Sequence, residues 1–431
     1  MNSENASLRN NFQRERANVT DIQVYLDAFG QQRRVGTLRR HAGARRERVT
    51  YEHDELWLTS PEAFQFDPTI PMAAGIITPP ANREMFGTLG DSAPDTWGRE
   101  LMRRAERRSA EREGRPVRTL HETDYLLGVS DFTRLGALRF KLEGQEEFLS
   151  PQARGVPTTV ALGDLLEASQ RILNGEETDD DLLLIFAPGS SLGGARPKAS
   201  IFDQHGRLSI AKFPKETDQY SISRWEAIAL DMARACGITT AEHDLLPSAH
   251  GPTFITKRFD RDDDQRIPFI SAMAMTEHDD GDRDGSYLEI VDIITDRGAQ
   301  PAQDRIELFR RIVFTILISN TDDHLRNHGF LWTGRQGWKL SPCYDLNPVP
   351  DGPRVLKTLI DYDDGTASLR LLQQVAEFYL RPDEGDQIIR DCATVVSRWR
   401  EFAQRRQAPA AEIARMTTAF EHDDLAYAQQ L

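Results

Sequence analysis

Ser319-Asn320-Thr321-Asp322-Asp323-His324-Leu325-Arg326-Asn327 is the stretch on which the fold turns, together with Pro342-Cys343-Tyr344-Asp345, whose aspartate lies 18 residues after Asn327. Two carboxylates and a carboxamide at these spacings are hard oxygen donors, the kind that suit Mg²⁺. Between Asn327 and Asp345, the apolar run Phe330-Leu331-Trp332, a turn over Thr333 to Gly337, and Trp338-Lys339-Leu340 read as a hairpin. Such a hairpin folds Asp345 back beside Asn327.

Phosphoryl transfer asks for little covalent help. It needs negative charge neutralised and the attacking oxygen held in line. Protein kinases meet that need with an Asp that accepts the hydroxyl proton, an Asn five positions later on the metal, and a further Asp bridging metal and phosphates. Asp322, Asn327 and Asp345 stand in that order. Asp and Asn after a long helix also serve as caps and turn residues, so further residues have to support the reading.

Lys212 is one of them. Period-two alternation in Leu208-Ser209-Ile210-Ala211-Lys212-Phe213 puts Lys212 on the face of Leu208 and Ile210, the face expected to be buried. A buried ammonium needs a partner, and Glu226 on the next helix fits the strand-lysine, helix-glutamate pair of kinases. A strand-end lysine snorkelling to solvent is the competing account. Upstream, Gly189-Ser190-Ser191-Leu192-Gly193-Gly194-Ala195-Arg196-Pro197-Lys198 brings glycines and cations together, as a phosphate cradle would. It is neither a Walker A loop, since Ala195 stands where a lysine is required, nor a G-x-G-x-x-G loop, and an ordinary flexible turn has the same composition.

Around these motifs the chain changes texture. From Ile22 to Leu58 apolar and polar residues alternate as in short strands, with Gly30 and Gly36 at turns, and a helix is expected near Asp95 to Arg112. A helix over Leu162 to Leu173 leads to an acidic linker, Glu176 to Asp181, then to the glycine loop. The hairpin Lys198–Phe202 and Arg207–Phe213 and a helix over Ile222 to Cys236 follow. Further on, helices are expected at Gln303 to Asn320, Leu369 to Leu380, Gly385 to Phe402 and Ala410 to Phe420.

Composition narrows the function classes. With 431 residues the chain is long enough for two or three domains. Cys236, Cys343 and Cys392 are too scattered for a disulfide framework or a zinc site, which points to a reducing, cytoplasmic setting. No apolar run reaches membrane-spanning length and Met1 to Thr20 lacks a signal-peptide core. A net charge of −15 repels polyanions, so autonomous nucleic-acid binding is not expected; the Arg33 to Arg48 run reads as a solvated hairpin and turn. Asp280-Gly281-Asp282-Arg283-Asp284-Gly285 opens like a calcium loop, but Val291 occupies the place of the bidentate Glu. His324 either braces the candidate catalytic loop or is a structural histidine.

Taken together, these stretches resemble HipA proteins, a family of serine/threonine protein kinase toxins. The resemblance rests on SSLGGARPK (190–198), AKFP (211–214), TKRFDR (256–261), NTDDHLRN (320–327) and SPCYD (341–345), with VGTL (35–38) and DSAPDTWGR (91–99) near the start. It implies an α+β, two-lobed protein-kinase-like fold with a small N-terminal mixed subdomain and an all-helical C-terminal lobe. The divisions expected are a tail (1–20), an N-terminal subdomain (21–155), an ATP-gripping lobe (156–260) and a catalytic lobe (261–431). It further implies Asp322 as base, Asn327 and Asp345 on Mg²⁺, Lys212 on ATP phosphates and Lys257 to Phe259 as the adenine hinge. The ATP site so expected comprises Ser191, Leu192, Gly193, Gly194, Ala195, Lys198, Lys212, Glu226, Lys257, Phe259, His324, Asn327 and Asp345. Ser191, or its neighbour Ser190, matches a serine that family members autophosphorylate. The implied partners are a small helix-turn-helix antitoxin of the HipB type and a protein substrate, aminoacyl-tRNA synthetases being known targets; no membrane is involved. An ATP-binding co-repressor and a small-molecule kinase remain alternatives.

Overall fold

Residues 19–43, 47–149, 156–186 and 196–431 are described by the computed structural model of the chain. They group into two compact units: residues 19–149 with 178–186 and 260–268, and residues 156–177, 196–259 and 269–431.

In the first unit, Ile22, Val24, Leu26 and Ala28 alternate into the core along β1 (Val19–Ala28), which pairs antiparallel with β2 (Gln31–Ala42). Phe29 and Gly30 both take positive φ (54° and 71°), the two-residue turn whose twist suits such a hairpin. The sheet runs β4-β3-β2-β1-β5, completed by β3 (Glu47–His53), β4 (Ile76–Ile77) and β5 (Leu138–Leu142). Gly36 is not at a turn as expected but inside β2, at the register shift after Val24. A Cβ there would collide with the Tyr51 hydroxyl and the Glu52 carbonyl, so close strand approach is the reason for glycine. Helix α1 (Thr96–Glu113) starts where the Asp95 carboxylate accepts from the Gly98 N–H and stops at left-handed Gly114. Four arginines of the Arg33 to Arg48 run pair with carboxylates: Arg33 with Glu62, Arg34 with Asp54, Arg39 with Asp21 and Glu52, Arg40 with Glu47.

The second unit opens with α2 (Leu162–Asn174), ended by left-handed Gly175. The expected acidic linker is instead partly helical: Asp179, Asp180 and Asp181 form the first turn of α3 (Asp179–Phe186), where carboxylates suit the N-terminal end of the dipole. That helix belongs to the first unit, its Asp179 meeting Arg108 and Arg112 of α1. Back in the second unit, an antiparallel sheet runs β6-β7-β9-β8, from β6 (Lys198–Phe202), β7 (Leu208–Lys212), β8 (His243–Leu246) and β9 (Thr253–Lys257). Helix α4 (Ile222–Ala235) follows β7, N-capped by the Ser221 hydroxyl.

Two short strands, β10 (Arg261–Asp262) and β11 (Gln265–Arg266), return to the first unit, where the buried Asp260 carboxylate accepts from the Gly136 N–H at 2.7 Å. Beyond them the chain is mainly helical, with the sheet β12-β13-β14, made of Phe269–Ser271, Gly329–Trp332 and Trp338–Leu340, and an irregular stretch over 341–368. Helices α5 (Tyr287–Arg297) and α6 (Pro301–Leu317) precede the candidate loop. Proline at the first position starts α6, and Leu308, Phe309, Ile312, Val313 and Ile316 bury its stripe. It ends three residues short of Asn320, because Ser319 turns left-handed at φ 52°. The later helices include α7 (Pro382–Val396), α8 (Trp399–Arg405) and α9 (Asp423–Ala428), with further short helices at Leu369–Gln374 and Ala410–Arg415. Among the described residues no helix is long and apolar enough to cross a membrane.

Candidate active site

Lys212 ends β7 on the inward face, and its ammonium lies 2.7 Å from Glu226 Oε1 and 2.7 Å from Asp345 Oδ1. Glu226 comes from α4 and Asp345 from the loop after β14, so three separate elements meet at one nitrogen. Burial favours loss of the Lys212 proton, yet Asp345 and Glu226 outweigh it and lift the ammonium above the ordinary lysine range. Two carboxylates thus share one cation. Burial opposes ionisation of Asp345 too, but Lys212, with help from Lys198 and His324, holds its carboxyl at about 2. Burial pushes Glu226 up, Lys212 pulls it down and the Asp345 charge pushes it up again.

Asp345 reaches this point because the backbone before it is pinned. Cys343 N–H donates to the Thr239 carbonyl at 2.7 Å, and Ala241 N–H to the Cys343 carbonyl at 3.1 Å. Asp345 itself takes a left-handed φ of 59°, a costly choice for a non-glycine residue of the sort that collects at functional sites. Lys198 faces Lys212 directly across the β6–β7 ladder and is 2% exposed, so two lysines stand on one buried face.

The loop after α6 separates its two aspartates. Asp322 is exposed and pairs with Lys357. Asp323 is buried: Tyr287 Oη donates to it at 2.5 Å and His328 Nε2 lies at 3.2 Å. Burial raises its carboxyl, but His328 and the Tyr287 hydroxyl hold it below the ordinary range. The Asp323 carbonyl accepts from both Thr358 N–H (3.0 Å) and Thr358 Oγ1 (2.9 Å). Asn327, 6% exposed, donates through Nδ2 to the Asp322 carbonyl at 3.5 Å, and its N–H donates to the His324 carbonyl at 2.8 Å. His324 therefore braces the turn through its backbone and also favours the ionised form of Asp345.

Asp345 and Asn347 offer oxygens that suit a hard divalent cation. Asp345 is held as an anion with Oδ1 fixed by Lys212 and by Asn347 Nδ2 at 3.2 Å. Asn347 Oδ1 is buried with no hydrogen-bond donor among the described residues, an acceptor that a cation or its water would satisfy.

The hinge candidates sit at the end of β9. The Lys257 N–H donates to the Glu242 carbonyl and the Arg258 N–H to the Leu208 carbonyl, so strand pairing already uses two of the three amides. The Phe259 ring lies 5.3 Å from Tyr344, whose hydroxyl donates to the Arg326 carbonyl at 2.7 Å. A cavity of about 610 Å³ borders Lys257, Ser209 and Ile255. By strand alternation it opens on the sheet face opposite Lys212. Ser190, Ser191, Leu192, Gly193, Gly194 and Ala195 lie outside the described residues.

Of the residues that the sequence brought out, Lys212, Glu226 and Asp345 meet directly, Lys198 and His324 act on the Asp345 carboxyl, and Asp322 and Asn327 lie on the loop after α6. Sequence reasoning missed Asp323, Asn347 and Lys357. Asp323 carried a faint signal, since of two adjacent aspartates only one can point outward; Lys357 carried none.

The same region is the one that known proteins share. Residues 190–399 match the family described as the HipA-like C-terminal domain. The chain carries a HipA-like domain. Its fold is that of HipA: a chain of the solved Shewanella oneidensis MR-1 complex of HipA, HipB and operator DNA superposes with a TM-score of 0.68 at 17% identity, covering 95% of this chain and 97% of that one. This is an α+β fold. A Haemophilus influenzae protein provisionally named a kinase is 26% identical across 42% of this chain and 61% of its own length. A Sinorhizobium fredii protein, Y4mE, with the same provisional name is 26% identical across 36% of this chain and 41% of its own. The chain thus matches less than two thirds of either relative's length.

Proposed function

We propose that the chain is an ATP- and Mg²⁺-dependent serine/threonine protein kinase, with residues 156–260 gripping nucleotide and 261–431 carrying the catalytic loop. The observation that carries it is the Lys212 ammonium held between Glu226 and Asp345 at 2.7 Å each. A fully charged lysine pinned by a helix glutamate is pre-positioned for phosphate oxygens, and its orientation need not be bought again at the moment of reaction. Lys198 adds a second cation on the same face. Asn327 and Asp345 would hold Mg²⁺, which when bound neutralises phosphate charge. Asp322 is the exposed carboxylate of the loop, free to meet a protein hydroxyl and accept its proton. The amide of Phe259 and the carbonyls beside it would meet adenine. Ser191, or Ser190, would be the autophosphorylated residue, since about two negative charges arriving beside the triphosphate would repel it.

The likeness to a HipA assembled with HipB and operator DNA supports the toxin role in a toxin–antitoxin pair, with a helix-turn-helix partner of the HipB type that contacts DNA in its place. The same assembly favours one other reading, an ATP-binding co-repressor that acts only through that partner.

Full-length protein incubated with γ-labelled ATP and Mg²⁺ should label itself or a protein of a cell extract. Asp322→Asn should lower that rate about a hundredfold or more, the usual scale for losing a general base. EDTA should abolish it. If the wild type labels nothing and Asp322→Asn is indistinguishable from it, while ATP and partner binding persist, the co-repressor reading replaces this one.

A further inference from the structure

Lys357 lies 30 residues beyond the candidate loop's Asn327, in a segment that no motif marks. From Leu356 to Ile360 burial alternates, with Leu356, Thr358 and Ile360 inward and Lys357 outward. Every neighbour of Lys357 is tied down. Leu356 N–H donates to the Gly365 carbonyl at 2.7 Å, Thr358 grips the Asp323 carbonyl twice, and Leu359 N–H donates to the Gly285 carbonyl at 2.9 Å. The Tyr287 N–H in turn donates to the Leu359 carbonyl, so this strip is fastened to α5 and to the catalytic loop together. An exposed lysine is ordinarily a free-swinging cation; this one leaves a fixed backbone, and its ammonium meets Oδ1 of Asp322.

On the kinase reading above, we infer that Lys357 is a positioning residue for phosphoryl transfer, acting through the Asp322 carboxylate. By holding Oδ1 it fixes the rotation of the carboxylate and leaves Oδ2 for the incoming hydroxyl. In the step served, the acceptor oxygen bonds the γ-phosphorus, its proton passes to Asp322, and the β,γ-bridging oxygen leaves with ADP. Orientation of a base is worth large factors in rate, because a carboxylate that swings samples the productive geometry only part of the time. The bland alternative is a surface ion pair with no role. Lys357 and Asp322 side chains are 60% and 59% exposed, and such pairs contribute little to folding. A rate lost on replacing Lys357 therefore could not be blamed on an unfolded protein.

The test uses full-length protein and Mg-ATP alone, reading ADP formation. Lys357→Met should lower kcat about tenfold, leave KM for Mg-ATP within about twofold, and be largely rescued by Lys357→Arg. In the Asp322→Asn background, Lys357→Met should cause no further loss, because the residue it acts through is gone. Three results would overturn the inference: a Lys357→Met enzyme as fast as wild type, a loss confined to KM, or a full further loss on top of Asp322→Asn. A wild type that forms no ADP would sink the kinase reading itself and this inference with it, and that arm involves no variant, so the two failures are told apart.

Discussion

Lys212 shows why a single residue decides so much here. Its charge is shared by two carboxylates, so its removal leaves both without a partner. Lys212→Ala should lower kcat/KM for Mg-ATP at least about tenfold, equivalent to about 1.4 kcal/mol of transition-state binding. It should also cost about 3–5 kcal/mol of stability, because Glu226 and Asp345 are left facing each other without a cation. Steady-state kinetics and urea unfolding read the two effects separately; kinetics equal to wild type would remove Lys212 from the site. At this scale much of the site was legible. Lysine on the inward face of a strand, and Asp, Asn and Asp at kinase spacing, are signals that local sequence carries. The division of labour between Asp322 and Asp323 was not, because it depends on His328, Tyr287 and Thr358 closing over one of them. Lys198 was legible as a cation of the expected ATP site; that it stands directly opposite Lys212 depends on the register of the β6–β7 hairpin.

Elements obey the same division between local and distant causes. Helices α1, α2 and α4 were readable because their ends are local: Asp95 and Ser221 cap starts, Gly114 and Gly175 end helices in left-handed conformations. The later helices were read as longer than they are. The expected Gly385 to Phe402 helix breaks at Ser397 and Arg398, so that Trp399 can stack on Phe420 at 4.6 Å and lie 6.1 Å from Trp225 of α4. Tertiary packing overrides periodicity there. Another distant cap makes a pH prediction. At the C-terminal end of α6 the Leu317 carbonyl accepts from His422 Nε2 at 3.1 Å, just before α9. Burial, together with the charge of Arg354, pushes the His422 imidazole down to about 4. The unfolded chain takes up a proton near pH 6.5 that the native site refuses until about pH 4. Its contribution to stability is therefore complete above pH 6.5 and falls away as pH drops through that window, by about 3 kcal/mol in all. Urea midpoints at pH 7 and pH 4.5 should draw closer together in His422→Gln than in wild type. An unchanged gap would show that another group titrates.

Across the whole molecule, what a sequence offers is a series of boundaries, and the compact units do not run in series. Residues 178–186 and 260–268 belong with the N-terminal unit although both lie beyond residue 155, where a serial reading ends it. No composition shift announces this, because membership is decided by partners far away along the chain: Arg108 and Arg112 for Asp179, the Gly136 N–H for Asp260, the Asp131 carbonyl for Arg266. A fragment comprising 156–431 alone would keep these segments and lose their partners. Leu182 and Ile185, 5% and 2% exposed in the full chain, would meet water, and the Asp260 carboxylate would lose a hydrogen bond that its burial requires. Freed apolar helix surface of this kind drives self-association. The fragment should therefore elute as aggregate on size exclusion and unfold with a broadened transition, whereas the full chain unfolds sharply. Restoring the first unit as a separate chain, residues 1–155, should recover soluble material if the interleaving is what fails. A fragment that is monomeric and cooperative by itself would mean that the two excursions fold without their partners, and that the N-terminal unit is an appendage rather than the other half of their core.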